Sequence, residues 1–421
     1  MRAMKDSGIA WIGEIPEEWQ IHRIKVNFQI ITGNGFSPQL QGMIGEQYPM
    51  YKASDISYSG KYIYTATNSV SERVAKEQHF NIIPSGSILF AKVGEAMKKN
   101  NRAINAIPCC IDNNCQAMVP HNINTDYGYY IFSIIDLNEF DNGGTVPCIN
   151  NQKLRSYFIP YPSVNEQQHI ADYLDRKCSQ IDAIIARQQE VIEKLKAYKL
   201  SVITEAVTKG LNPHAPMKDS GVEWIGEIPE HWSESTILHN IRFEGGSQPP
   251  LEYFIDEPRD GYIRLIQNRD YRTDDYATYV PITMVSKFCT KEDVMIGRYG
   301  PPIFVIHRGL EGAYNVALMK AVPINLDREF MFYYLQNSTL LKYIESFSVR
   351  TAGQSGVNPN ILKRYPMFVP PVAEQQQIAE GLLIKCHHID NLIASKNNLV
   401  KQLISYKKSL IYEVVTGKKE I

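Results

Sequence analysis

The sequence predicts a mixed α/β protein made by tandem duplication: two α/β bodies separated by two long coiled-coil helices, with an internal pseudo-twofold repeat. Three observations predict it. Residues 166–208 return as 374–416, offset by 208 positions, with 20 of 43 residues identical. Residues 4–19 and 217–232 agree at 13 of 16 positions. The segments between these repeats carry short β-rich runs broken by Gly, Pro and Asn, as expected of bodies with short strands and turns.

Each half opens with an entry segment, KDSGIAWIGEIPEEW at 5–19 and KDSGVEWIGEIPEHW at 218–232. The four tryptophans of the chain, Trp11, Trp19, Trp224 and Trp232, all fall at equivalent places in it. Aromatic anchors packing the entry segment onto its own body are the simpler account, with ligand stacking as the alternative. The bodies, 20–164 and 233–372, have diverged, yet a correspondence survives between ILFAKVG at 88–94 and VMIGRYG at 294–300. Asn150, Leu154 and Tyr157 likewise align with Asn358, Leu362 and Tyr365. One fold with two surfaces is the economical inference. Gly33-Asn34-Gly35 is a turn signal only.

Each body leaves through prolines into its helix, because proline suits a first turn and not an interior. Ser163, three residues before Glu166, makes a capping box that the second copy lacks. The first helix carries apolar residues at a spacing of 3.5, among them Ile170, Leu174, Ile181, Ile185 and Leu195. The second repeats it with Ile378, Leu382, Ile389, Ile393 and Leu403. That is a coiled-coil stripe, and at about 1.5 Å per residue each helix is roughly 65 Å long. The stripe is interrupted at Gln188 and its mate Lys396, either a polar register pin or a tolerated gap. Gly210 and Pro213 stop the first helix, and the second ends at Gly417. The expected segments are 1–164, the first body with its entry; 165–211, a helix; 212–372, the second body; and 373–421, a helix.

Composition narrows the function. With 44% hydrophobic and 21% charged residues over 421 positions, the chain is a folded protein. It has no apolar run of about 18 residues and no signal-peptide core at its start, so a cytoplasmic protein without membrane contact is expected. The seven cysteines show no CxxC pairing, which argues for free thiols. Formal charge is −1, so any nucleic-acid contact has to come from local patches.

Catalytic apparatus is nearly absent: no phosphate loop, no HExxH, no GxSxG and no Asn-Pro-Pro-aromatic run. The chain is therefore expected not to be an enzyme, to bind no metal and to hold no cofactor. His387-His388 beside Cys386 is better explained as helix surface than as a metal site. What remains are basic and amide-rich loops. In the first body these are Lys92, Lys98, Lys99, Asn101 and Arg102; in the second, Arg264, Gln267, Asn268, Arg269, Arg298, Arg308 and Gln354, with Arg272 nearby. Arginine bonds guanine bidentately, asparagine and glutamine bond adenine, and lysine suits phosphate, so these are the residue types of a groove reader. An ordinary solvated surface is the competing account for any one of them.

Together, the doubled entry segment, the doubled Glu-Gln-Gln-x-Ile-Ala helix start (166–171 and 374–379), the ILFAKVG and VMIGRYG strands and the Gly/Asn-rich segments 143–151 and 351–360 resemble the specificity (S) subunit of type I restriction-modification systems. The resemblance covers essentially the whole chain. It implies two target recognition domains, each reading half of a split, asymmetric double-stranded DNA sequence. It also implies helices that act as an antiparallel spacer and dock two methyltransferase (M) subunits, with restriction motor (R) subunits reached through the complex. S-adenosylmethionine and ATP/Mg are then expected on those partners. If so, the helices are a ruler that keeps the half-sites under about 19 base pairs apart at roughly 3.4 Å each. The rival readings are a stand-alone coiled-coil DNA-binding protein, a two-headed protein-interaction scaffold, and a nuclease hidden in an acidic cluster such as Asp274-Asp275 or Glu292-Asp293.

Overall fold

A computed structural model describes residues 2–300, 302–347, 349–351 and 354–421, with the side chains of 349–351, 354 and 355 left out. The chain divides into two compact units, Met1–Gln188 with Asn398–Ile421, and Gln189–Asn397. Each unit therefore holds one body and a part of both long helices, so neither helix is a domain by itself.

In the first unit the body is built on a five-stranded sheet. Its strands are β1 (Phe28–Thr32), β2 (Tyr62–Ile63), β3 (Ile88–Ala91), β4 (Arg102–Asn105) and β5 (Cys115–Pro120), in the order β1-β5-β3-β4-β2. The run Ile88-Leu89-Phe90-Ala91 is apolar without alternation because both faces of β3 are covered. Ile88 and Phe90 join a core with Tyr127, Ile131 and Phe132 of the helix Thr125–Ile134, while Leu89 faces a second core with Tyr51, Ile83 and Ala117. A smaller sheet places Tyr48–Tyr51 between Ser69–Val70 and Cys110–Ile111.

The second unit repeats the plan. Strands β6 (Ile241–Gly245), β7 (Val294–Gly297), β8 (Val305–His307) and β9 (Leu318–Pro323) form an antiparallel sheet in the order β6-β9-β7-β8. The correspondence of ILFAKVG with VMIGRYG is real, since β3 and β7 both lie inside their sheets. The aligned Asn150 and Asn358 each cap a short helix, and Leu154 and Leu362 are fully buried.

The long helices are α1 (Val164–Lys209) and α2 (Val372–Val415), of 46 and 44 residues, each unbroken. In the first unit Ile170, Leu174 and Ile181 share a core with Leu410, Ile411 and Val414. In the second, Ile203 and Val207 share one with Ile378 and Leu382. Early α1 with late α2, and late α1 with early α2, is antiparallel pairing. The duplication shows in its ion pairs: Asp182 meets Lys407 at 2.6 Å in one unit, and Asp390 meets Lys199 at 2.7 Å in the other.

The doubled entry segment serves those helices. Trp19 and Trp232 are 1% and 2% exposed, and their indole N–H groups donate to Glu166 at 2.9 Å and Glu374 at 3.2 Å. The buried side chains of Gln167 and Gln375 each accept from a body backbone N–H, Asn124 at 2.8 Å and Asp327 at 2.7 Å. Against the same tryptophans stand the glycines that end the opposite helix: Gly417 (φ +73°) at Trp19 and Gly210 (φ +75°) at Trp232. Two of the four tryptophans thus anchor helix termini rather than only their own bodies. Trp11 and Trp224 keep the simpler role, stacking on Tyr157 at 5.6 Å and Tyr343 at 6.0 Å. Glu166, engaged by Trp19 and Arg2, leaves only half a capping box: Ser163 Oγ accepts from the Glu166 backbone at 3.3 Å.

Candidate nucleic-acid interface

Beneath their divergent sequences the bodies share one hydrogen-bonded frame. Gly33 N–H donates to Cys115 O at 3.1 Å and Gly246 N–H to Leu318 O at 3.2 Å. The next residues, Asn34 and Ser247, donate to Ile111 O and Tyr314 O, each at 3.1 Å. A side chain at Gly33 would put its Cβ 2.0 Å from Asp112 O, and one at Gly246 would stand 2.1 Å from Asn315 O. Gly33 is therefore more than a turn signal: strand and loop approach too closely for any Cβ.

The frame carries a matched turn that sequence reading missed. After Tyr51, Lys52 N–H donates to Asp55 Oδ2 at 2.8 Å; after Ile266, Gln267 N–H donates to Asp270 Oδ2 at 2.9 Å. The only signal in the sequence is an aspartate four residues past a strand end, YKASD against IQNRD. Asp55 Oδ1 also accepts from Thr67 Oγ1 at 3.0 Å. Asp270 Oδ1 is buried without a hydrogen-bond partner among the described residues, with Arg269 Nε 3.9 Å away, and burial raises its pKa.

Several predicted residues of the second body gather at this turn. Asn268 Oδ1 is bonded to His307 Nε2 at 2.7 Å, and His307 lies flat on Tyr271 at 4.2 Å. Burial, with a smaller push from Arg272, lowers the His307 pKa to about 4, so the ring is neutral at pH 7 and shares a hydrogen bond with the amide through Nε2. Asn268 also packs on Gly297, where an added Cβ would stand 2.8 Å from Oδ1. Arg298 follows directly, half-buried, bonding Val316 O at 3.3 Å, its Nε without a hydrogen-bond partner among the described residues. Arg269 is exposed and lies over Tyr276 at 5.7 Å. Arg264 is held by Asp274 at 2.7 Å. Arg308 is held by Glu329 at 2.6 Å over the ring of Phe332 at 4.0 Å. The side chain of Gln354 lies outside the described residues.

In the first body Lys92 takes the place of Arg298 at the end of β3: Ile149 N–H donates to Lys92 O at 3.0 Å as Val357 N–H does to Arg298 O at 2.9 Å. Lys98 and Lys99 are exposed, Lys98 paired with Glu95 at 2.6 Å, and Asn101 is half-buried. Arg102 is a correction. It pairs with Phe90 inside the sheet and is 7% exposed. Its guanidinium bonds Asn100 O at 2.7 Å, Asn100 Oδ1 and Ile135 O, over the ring of Phe132 at 4.6 Å. It staples the core and faces no groove.

The helix candidates are mostly spent on the protein's own seam. Ile170, Leu174, Ile181, Ile378, Leu382 and Ile389 are 7% exposed or less, while Ile185, Leu195, Ile393 and Leu403 are half-buried. They suit a spacer, and a docking partner has to use other faces. Gln188 and Lys396 are half-buried, and Gln188 Oε1 has no partner among the described residues. All seven cysteines are free. Among the described residues no helix is long and apolar enough to cross a membrane and no cluster of three metal-ligating side chains occurs.

A family model described as "Type I restriction modification DNA specificity domain" matches residues 16–194 and 275–403. The chain is 26% identical over 429 residues to a putative type I restriction enzyme MjaX specificity subunit of Methanocaldococcus jannaschii, covering 97% of this chain and 95% of that one. It is 26% identical over 272 residues to the MjaIX specificity subunit of the same organism, spanning 59% of that protein. Among solved structures, a chain from a type I R-M system study of complex assembly and conformational transition is similar with a TM-score of 0.67 at 14% identity, over 96% of this chain and 99% of that one.

Proposed function

Because the chain belongs to the type I restriction-modification DNA specificity family, we propose that it selects the DNA target of a methyltransferase complex, each body reading one half of a split, asymmetric duplex sequence. The observation that carries this is the pairing of a preserved frame with diverged surfaces. Matching hydrogen bonds at Gly33 and Gly246, and at Asp55 and Asp270, hold the same turn in both bodies. The side chains on that turn, Lys-Ala-Ser against Gln-Asn-Arg, share nothing. A binder of one repeated ligand keeps its contacts alike, whereas a reader of two different half-sites keeps the scaffold and varies the contacts.

The helices support two identical partners, the methyltransferase subunits. Ile184 and its mate Leu392 are 46% and 38% exposed, and Tyr198 and its mate Tyr406 are 59% and 54% exposed. Large apolar side chains at repeated exposed positions suit two copies of one docking surface. Restriction motor subunits join through those partners. S-adenosylmethionine, ATP and Mg are bound by the partners, this chain being a non-catalytic recognition subunit that works on DNA in the cytoplasm. The test is to co-express the chain with its neighbouring methyltransferase in a methylation-free host and map modified bases across the genome. One motif of two half-sites with a fixed gap, present only when both proteins are made, is the expected result. A stable complex without any motif favours a protein-interaction scaffold, and specific binding without a partner favours a stand-alone DNA binder.

A further inference from the structure

Within the reading just given, on which this inference rests, the structure assigns base recognition to one device: the aspartate-locked turn at 52–55 in the first body and 267–270 in the second, with Asn268 and Arg269 as the reading side chains of the second. The turns leave the strands Tyr48–Tyr51 and Tyr262–Ile266 at their buried last residues, Tyr51 and Ile266, each in a sheet separate from the one that holds β3 or β7. The aspartate carboxylate fixes the backbone, so the intervening side chains change without moving it. Ser54 and Arg269, at equivalent positions, are both exposed.

The local packing covaries between the bodies. Gly297 leaves the room into which Asn268 packs. The first body has Ala91 at the place of Gly297 and Ala53 at the place of Asn268. A missing Cβ on the strand accompanies a long polar residue on the turn, and a present Cβ accompanies a short one. The second body has thus made space for an amide.

That amide is held in place. His307 Nε2 bonds the Asn268 side-chain amide at 2.7 Å, and Tyr271 holds the imidazole by stacking, which fixes the position of the amide on the turn. Oδ1 retains a second lone pair, and Nδ2 has no partner among the described residues. An amide's acceptor–donor pair matches the N6 and N7 edge of adenine in the major groove, and the exposed guanidinium of Arg269 matches O6 and N7 of guanine. Asn268 is the specificity-determining residue; His307 and Gly297 position it.

The test uses the full chain in complex with its methyltransferase, with modified motifs mapped across the genome for the wild type, Asn268→Ala, Arg269→Ala and Gly297→Ala. In each variant, discrimination is expected to fall about tenfold or more at one or two base pairs of a single half-site, with the other half-site and the gap unchanged. Gly297→Ala is expected to relax the same base pair as Asn268→Ala, which a merely structural role would not produce. Ser54→Arg is expected to alter only the opposite half-site. Arg269 is exposed, so its variant folds and keeps the experiment decisive if Asn268→Ala does not. A wild-type complex with a split motif, together with variants whose motifs match it at every position, overturns the turn assignment and leaves the function standing. A wild-type complex with no split motif overturns both.

Discussion

Substituting alanine at the two glycines that end the long helices separates backbone strain from packing, because the same residue does the same task in two different surroundings. Gly210 and Gly417 have φ of +75° and +73°. Alanine in that left-handed region costs about 1–2 kcal/mol at either site. At Gly210 the new methyl would meet Glu374 Oε1 at 3.2 Å and Trp232 Cζ2 at 3.5 Å, contacts that a slight shift of a flexible carboxylate relieves. At Gly417 it would stand 2.3 Å from Pro16 Cδ and 2.6 Å from Pro16 Cγ, on a ring that cannot rotate away. Overpacking of that kind adds about 1–3 kcal/mol. Gly210→Ala is expected to cost ~1–2 kcal/mol and Gly417→Ala ~2–5 kcal/mol. For a unit of roughly 200 residues at about 2–4 °C per kcal/mol, the Gly417 variant melts several degrees below the Gly210 variant. Differential scanning calorimetry on the full chain measures this. Equal losses, or a larger one at Gly210, would refute the argument that Pro16 and Trp19 form a rigid seat for the helix end.

Arg102→Ala is expected to cost about 2–4 kcal/mol in denaturant unfolding, since it strips a buried cation's bonds from Ile135 O and Asn100; Lys99→Ala, at an exposed position, should cost under about 0.5 kcal/mol. His307 gives a pH signature: its folded pKa, lowered from 6.5 to about 4, lies below the unfolded value, so the unfolded chain binds more protons in that window. Stability from this group is complete above pH ~6.5 and is lost as pH falls towards ~4; melting curves of His307→Gln should show a shallower acid slope than wild type. Inserting one heptad after Gln188, matched by one after Lys396, should widen the gap between half-sites in the mapped motif, and an unchanged gap would sink the ruler idea.

The duplication, the two bodies, the helix stripe and its stops at Gly210 and Gly417 were all legible in the chain, because a repeat and a heptad are periodic and periodicity is written in one dimension. So was the family, carried by motifs at matched offsets. What the tertiary structure alone decided was the use of individual side chains. Arg102 reads as a groove residue by type, yet its strand register sets it opposite Phe90, and a buried position turns a guanidinium into a staple. Trp19 packs in the core of its own body as an anchor should, but it also takes partners from residue 166 and from residue 417, separations that no local pattern encodes. Gly33 looked like a turn because only the arrival of residue 112 from another strand shows that its missing Cβ is the point. The turn at 267–270 leaves a single aspartate as its trace; its side-chain packing depends on Gly297 and His307 reaching Asn268 and Tyr271 from two separate strands. Periodic burial is fixed by local sequence, whereas the partner of a polar side chain is fixed by whichever distant backbone the fold brings within 3 Å.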